Sequence, residues 1–248
     1  MHDPQSGWFI DMGLSYNNDG VQTGEATNST WTGEKLKTLN FINFKKNLND
    51  KLSLTAFFSL SGREYPEIDQ FFATGTHGLI MDYNNAGSGV FGFLSGYYQH
   101  GTDKVKRPGG DYRNISAYLL TGELGYRAPS KKWELAAGAE LISGNSNTDS
   151  DYLETRRSFD LLYSARFPYY GGNLTHFVVQ DSYKTGTRGG GYFDPFLRFS
   201  FKPGKKNSLA VTWWSPFLTT EILAHTSIDP ESGKPSGIET DGSGDNVY

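Results

Sequence analysis

The chain has 248 residues, with 23 Lys and Arg against 27 Asp and Glu, a formal net charge of -4 and no cysteine. The absence of cysteine rules out a disulfide framework or a thiolate metal site, and the mild acidity gives no reason to expect a nucleic-acid partner. No stretch reaches the roughly 18 apolar residues that a membrane-spanning helix needs, which excludes that class.

Only 36% of the residues are apolar and the mean hydropathy is -0.53, yet Gly numbers 30 and aromatic residues make up 15%. A soluble sandwich of this size would carry more Val, Ile and Leu in its interior. A barrel with a wet lumen needs apolar residues only on its outer face, so its mean hydropathy stays low. Residues 1–7 have neither a basic region nor an apolar core and are not a signal peptide. An outer-membrane protein needs one for export, so the chain reads as a mature form or a portion of a longer protein.

In chain order, the first clear element is Trp8 to Tyr16. Trp8, Ile10, Met12, Leu14 and Tyr16 share one face; Phe9, Asp11, Gly13 and Ser15 share the other. Successive strand side chains point to opposite faces, so this segment has a greasy side and a small or polar side. Lys35 to Lys46 is apolar but mixed in phase, and Asn47 to Asp50 turns the chain. Leu52, Leu54, Ala56, Phe58 and Leu60 line one face of the next strand. A longer loop is expected over Gly62 to Gly75, then a strand from His77 to Tyr83, a turn over Asn84 to Gly89, and a strand from Val90 to Gln99. The polar segment Gly101 to Arg113, with Pro108-Gly109-Gly110, reads as a loop.

Asn114 to Arg127 places Tyr118, Leu120, Leu124 and Tyr126 outward and Thr121, Glu123, Gly125 and Arg127 inward. Ala128 to Lys131 turns. Trp133, Leu135, Ala137, Ala139 and Leu141 then alternate with Glu134, Ala136, Gly138 and Glu140. Asn145 to Arg156 reads as a long hydrophilic loop. Strands are expected at Phe159 to Tyr170 and Leu174 to Tyr183, joined at Gly171-Gly172, with a loop from Lys184 to Gly191. Phe193, Pro195, Leu197, Phe199 and Phe201 oppose Asp194, Phe196, Arg198, Ser200 and Lys202. Pro203 to Lys206 turns into a last strand with Leu209, Val211 and Trp213, fading near Ile222. The tail from His225 to Tyr248 is polar.

This amounts to about eleven strands of roughly 9–14 residues, matching what a tilted strand needs to cross a bilayer. Short turns alternate with longer connections. In outer-membrane barrels the short turns face the periplasm and the long loops face outside. The pattern predicts an all-β, up-and-down antiparallel transmembrane barrel, one domain over residues 1–248 in the bacterial outer membrane, against lipid. Such barrels have even strand numbers, and an open edge in lipid leaves backbone groups unpaired, so the chain is expected to be part of a larger barrel.

The run Gly138-Ala139-Glu140-Leu141-Ile142-Ser143-Gly144-Asn145, a polar loop, then Phe159-Asp160-Leu161-Leu162-Tyr163 and Gly171-Gly172-Asn173-Leu174 resembles the alginate-export type of outer-membrane porin, especially its Bacteroidetes versions. Where that family often carries His before the Gly turn and Asp after it, this chain has Phe167 to Tyr170 and Thr175-His176. The resemblance implies a barrel of roughly 16–18 strands with an aqueous channel. It also implies an anionic polysaccharide or a small polar solute as substrate.

Inward-facing charges are expected at Arg63, Glu123, Arg127, Glu134, Glu140, Asp160, Arg166, Arg198 and Lys202. In a wet lumen most such charges solvate the wall and pair across strands, whereas a subset at a constriction sets ion preference. The pore-lining candidates are Arg127, Arg166, Arg198, Lys202, Glu123 and Glu140. The four cations are the candidates for a passing carboxylate, which a guanidinium binds bidentately. Phe57, Tyr97, Phe196 and Trp214 sit on the polar face, where rings stack on sugars or, more often, fill space. Trp8, Tyr16, Tyr98, Tyr118, Tyr126, Trp133 and Trp213 suit a membrane-interface belt.

Catalysis has little support. The five His are scattered, no nucleophile elbow, zinc motif or P-loop occurs, and His176 and Asp181 are five apart, on opposite faces of a regular strand. No catalytic residue, metal or cofactor is assigned. Asn147 to Asp151 with Glu154 has oxygen ligands for calcium but lacks the EF-hand spacing, and the Asp-rich tail has the same standing. The rival to a channel is a non-conducting barrel that scaffolds other outer-membrane or periplasmic proteins. A soluble β-rich carbohydrate-binding barrel is a further rival. The barrel reading requires Leu52, Leu120, Leu135 and Phe199 to stay out of a dry protein interior.

Overall fold

The computed structural model describes residues 2–3, 7–17, 35–65, 69–84, 86–107, 110–146, 151, 154–160, 191–204, 207–220, 225–228 and 235–238. Among them there is no helix. The strands are β1 (His2–Asp3), β2 (Trp8–Tyr16), β3 (Lys35–Asn47), β4 (Leu52–Tyr65), β5 (Gln70–Tyr83), β6 (Gly89–Lys106), β7 (Tyr112–Arg127), β8 (Trp133–Ile142), β9 (Thr155–Arg156), β10 (Tyr192–Phe201), β11 (Leu209–Trp214), β12 (Phe217–Leu218), β13 (His225–Ile228) and β14 (Pro235–Ile238). All but the last two form one 12-stranded sheet, in the order β1-β2-β3-β4-β5-β6-β7-β8-β10-β11, each neighbour antiparallel. This is an up-and-down meander, and its two ends are not joined among the described residues. β12 continues β11 in the same register along β10, past Ser215, whose N–H donates to the Pro195 carbonyl at 3.1 Å. β13 and β14 form a separate two-stranded ladder.

Turn chemistry explains the tight reversals at one end. Asn49 Oδ1 accepts from the N–H groups of Lys51 and Leu52, both at 2.9 Å, which closes the β3–β4 turn. Asn84 adopts φ 51°, a left-handed conformation that Asn tolerates, and its Nδ2 donates to the carbonyls of Ser88 and Val90. Between β7 and β8, Lys131 takes φ 53° and its N–H donates to the Ala128 carbonyl at 2.8 Å.

Two of the expected long loops are strand instead. β4 runs to Tyr65 and β5 starts at Gln70, so residues 66–69 alone make the connection expected over Gly62 to Gly75. Likewise β6 runs to Lys106 and β7 starts at Tyr112, within the segment expected to be a loop from Gly101 to Arg113. A register shift between Thr102 and Lys106 bends this hairpin, and Gly101, at φ 143°, passes where a Cβ would lie 2.2 Å from the Ala73 carbonyl oxygen. These extensions lack apolar alternation, so periodicity could not reveal them.

A third correction concerns the strand after β8. Ten consecutive residue pairs join β8 directly to β10, from Tyr192↔Ile142 to Phe201↔Trp133. Phe159 and Asp160 are not strand, and the remainder of the hairpin expected over Phe159 to Tyr183 lies outside the described residues. Part of the connection instead lies on the sheet. β9 pairs in parallel with Asn114 and Ile115 of β7, and Phe159 packs with Ala117, Leu119, Ile142 and Tyr192 in the principal buried apolar cluster.

The two faces carry inverted burial. On one face Leu14 is 83% exposed, Leu124 66% and Leu135 53%, and Leu120 and Phe199 are also exposed, while Leu52 is half-buried. On the other, Glu123, Glu140 and Asp194 are buried. That second face is concave. A single cavity of about 920 Å³ touches Leu39 of β3 and Arg198 of β10. Six strand spacings of about 4.8 Å would hold these strands about 29 Å apart in a flat sheet, so the sheet curls around the space.

Phe159→Ala is expected to release the 154–160 segment from the concave face at a cost of about 3 kcal/mol to its packing. New cleavage between β8 and β10 under limited proteolysis, with β6–β8 still protected, is the outcome that checks this.

Candidate functional site

The concave wall is built by a repeated device. On β2, β5, β7 and β8 an inward position is glycine, and an aromatic ring from the adjoining strand lies across it. A Cβ on Gly13 would lie 2.3 Å from the Phe41 ring, on Gly78 2.5 Å from Tyr97, on Gly125 2.4 Å from Phe91 and on Gly138 2.5 Å from Phe196. The missing side chain lets each ring lie along the sheet instead of standing into the cavity. The cavity is therefore lined by ring faces and stays open. Phe57 joins the wall edge-on to Tyr97, with centroids 6.2 Å apart. Of the rings expected on the polar face, Phe57, Tyr97 and Phe196 thus act as wall lining, and Trp214 is exposed on β11.

The charged groups gather toward one side of this cavity, on β7, β8 and β10. Arg198 Nη2 donates to Glu123 Oε1 at 2.7 Å and lies 3.6 Å from Glu134 Oε1. Arg127 Nε donates to Glu134 Oε2 at 3.0 Å, its Nη1 donates to the Gly87 carbonyl, and its guanidinium lies 4.6 Å from the Phe91 ring centroid. Glu140 accepts the Tyr192 hydroxyl at 2.7 Å. Pairing of this kind holds the guanidiniums in place, because a buried carboxylate stripped of its cation is costly.

Of the six pore-lining candidates, Arg127, Arg198, Glu123 and Glu140 line one cavity. Lys202 does not line that cavity. It follows the end of β10, is exposed, and borders a second depression at the short-turn rim, which Lys131, Lys132 and the same Arg127 also line. Arg166 lies outside the described residues. Both guanidiniums of the lining are engaged by carboxylates, the cross-strand pairing expected of most charges on such a wall.

Sequence reasoning missed a polar lock at the opposite end. Arg113 is fully buried; its Nε donates to Asp103 Oδ2 at 2.9 Å and its Nη2 also bonds that oxygen, while Arg156 Nη1 lies 3.6 Å from Asp103 Oδ1. The Asp160 backbone exchanges two hydrogen bonds with the Gln99 side chain, at 2.8 and 2.9 Å, and Asp160 pairs with Arg63 at 2.5 Å. Asn145 Oδ1 accepts from the N–H groups of Arg157 and Ser158. Side chains of β4, β6 and β7 thus hold the inward segment. Its sequence signals were the inward phase expected of Arg63 and Asp160 and the density of Arg, Asp and Asn in a presumed loop.

Residues 147–150 of the calcium candidate lie outside the described residues, and Asp151 is gripped bidentately by Arg157 at 2.7 and 2.6 Å. No group of three or more His, Cys, Asp or Glu among the described residues could hold a metal ion. On the convex face, two of the scattered His meet. His77 and His100 stack with centroids 4.8 Å apart and Nε2 atoms 2.7 Å apart, one ring donating to the other.

No family model, curated protein or solved structure matches this chain.

Gly138→Ala is expected to destabilise the sheet by about 1–3 kcal/mol, since the new methyl meets the Gly122 carbonyl oxygen at 2.4 Å as well as the Phe196 ring and cannot be relieved by ring motion alone. Urea unfolding of the variant beside the parent measures it. The Arg157 hydrogen bonds hold the Asp151 carboxyl below the usual range, against the opposing effect of burial. A depressed folded-state value stabilises the segment above the unfolded value of about 4 and loses that contribution as pH falls through the folded value. Proteolysis of the 151–160 segment should therefore rise as pH is lowered below about 4, and Asp151→Asn should flatten that dependence.

Proposed function

We propose that this chain forms the wall of a bacterial outer-membrane β-barrel whose concave face borders a water-filled channel for a small polar solute. The observation that carries the reading is the inverted burial. A sheet that leaves Leu14, Leu79, Leu124 and Leu135 exposed while burying Glu123, Glu140, Asp194 and Arg113 is stable where its convex face meets hydrocarbon. In water the same face would be an apolar surface far larger than soluble monomers tolerate.

The interface-belt residues support the same placement. Trp8, Tyr126 and Trp133 are exposed toward the short-turn end, with Tyr83 beside them outside the expected set; the Tyr126 and Trp133 rings lie 5.7 Å apart, and Trp213 on β11 is exposed as well. Tyr16, Tyr98 and Tyr118 are exposed toward the other end. Amphipathic rings favour headgroup depth, so two such groups bracket the apolar band. Under this reading the sheet ends are closed by further strand pairing, because unpaired backbone in lipid costs several kcal/mol per group.

One observation favours the rival scaffold reading. The inward segment through Asp160 sits against the cavity, as a plug would. Planar-bilayer recording separates the two: stepwise ionic currents are expected from a channel, and silence from a plugged scaffold. Lipid exposure is tested independently with nitroxides on Leu79→Cys, Leu124→Cys and Leu135→Cys. These should be relaxed by oxygen dissolved in the bilayer, whereas labels at Ser59 and Thr121 should respond to an aqueous chromium or nickel complex. Equal aqueous access at both sets would exclude the membrane placement.

A further inference from the structure

The sheet brings two histidines, 23 residues apart in the chain, together on its convex face. His77 of β5 is opposite Tyr98 of β6, and His100 of β6 is opposite Gly75 of β5, so the two are diagonal neighbours. Diagonal neighbours ordinarily stand about 7–8 Å apart, within reach of aromatic side chains. Here the imidazoles close the gap, with their Nε2 atoms 2.7 Å apart. The ring planes differ by 11° and the centroids are 4.8 Å apart. The nitrogens are therefore much closer than the ring centres, and the two edges that carry Nε2 face each other. At this distance one nitrogen carries the proton and the other offers its lone pair. The pair holds a single proton between two strong ligating atoms.

Surrounding side chains set this arrangement. A Cβ on Gly75 would lie 2.6 Å from His100 Nε2, so the missing side chain lets the His100 ring reach across toward His77. Phe58, opposite His77 on β4, meets the His77 ring edge-on with centroids 5.4 Å apart. Tyr98 lies beside His100 with centroids 6.4 Å apart and planes 20° apart, and its hydroxyl is bonded to Ser116 Oγ at 3.1 Å. Rings braced from both sides lose little freedom when they bind something.

Imidazole nitrogen suits copper, nickel and zinc, whereas magnesium and calcium prefer oxygen. Two nitrogens on one such ion, each about 2.0–2.1 Å away and at about a right angle, are separated by about 2.9 Å. The spacing of 2.7 Å falls within a few tenths of an ångström of that. A small rotation of each ring about its soft outer torsion aims both lone pairs at a shared point. Both residues are exposed, so water can fill the remaining positions. Among the described residues no third His, Cys, Asp or Glu completes the set, which makes this an open two-nitrogen site.

We propose that His77 and His100 form a bidentate site for a divalent transition-metal ion, copper(II) most tightly, that clips β5 to β6 on the convex face. The site lies outside the cavity and needs no channel.

The test is a copper(II) titration of the full chain in detergent micelles, read by electron spin-echo envelope modulation, which counts bound imidazoles. The parent should hold one copper ion with the modulation of two imidazoles. His77→Ala and His100→Ala should each remove that signal and weaken copper binding about tenfold or more, since the second imidazole of a pair binds intramolecularly. His2, His176 and His225 are common to all three chains, so a signal that both substitutions remove belongs to the pair. Heat-modifiable gel migration verifies folding, and His77→Gln and His100→Gln serve where an alanine variant does not fold. A parent without two-imidazole modulation, or modulation that survives either substitution, overturns the proposal and leaves the channel reading untouched.

Discussion

The backbone ladder fixes which side chains share a face, and the rest of this structure follows from that two-residue period. From β2 to β11 each strand is registered to the next, so one set of alternate residues is gathered on the convex side and the other on the concave side. Because the sheet curls, the concave set is crowded and the convex set is spread apart. Crowding buries Glu123 and Arg113; spreading exposes Leu124 and Leu14. Burial here reports curvature and crowding, and polarity is arranged against it. A slip of one residue in any ladder would turn charged groups onto the apolar face and leucines into the cavity.

Crowding on the inner side also accounts for the abundance of glycine. Where a ring must fit inside a curled sheet, the adjoining strand gives up its side chain. Gly13, Gly78, Gly125 and Gly138 share this role with rings from β3, β6 and β10. The pairing of an aromatic with a cross-strand glycine covers the exposed glycine backbone and pins register at the same time. The aromatic and glycine contents, which look unrelated in the composition, are two halves of one device.

Legibility of the sequence followed the same physics. Where a strand crosses between an apolar surface and a polar one, alternation is strong, and Asn114 to Arg127 or Phe193 to Phe201 could be placed almost to the residue. Where β4 with β5 and β6 with β7 extend past the apolar band, charged residues, Gly and the adjacent rings Phe71 and Phe72 break the alternation, the period vanishes, and the extensions read as loops. The Glu123, Glu140, Arg127 and Arg198 grouping was accessible from phase alone, since phase assigns a face. Their pairing was not, because it depends on which strands are neighbours. The direct β8–β10 ladder has no local signature, because nothing in the sequence between the two strands says that β9 pairs off the path, along β7. His77 and His100, 23 residues apart, likewise meet because β5 and β6 are neighbours.

The β6–β7 hairpin is the longest in the sheet, with 18 and 16 residues in its arms. At roughly 3.3 Å per residue the longer arm measures about 59 Å, and a tilt of about 40° leaves about 45 Å of height. The hydrocarbon layer is only about 30 Å thick. In the proposed orientation the tip of this hairpin, near residues 107–111, stands well clear of the lipid on the cell's outer surface. Among the described residues the ends of these two arms would reach farthest from the lipid. Since Asp103 and Arg113 clasp the hairpin just beneath it, grip on that tip would be transmitted to the segment that enters the cavity.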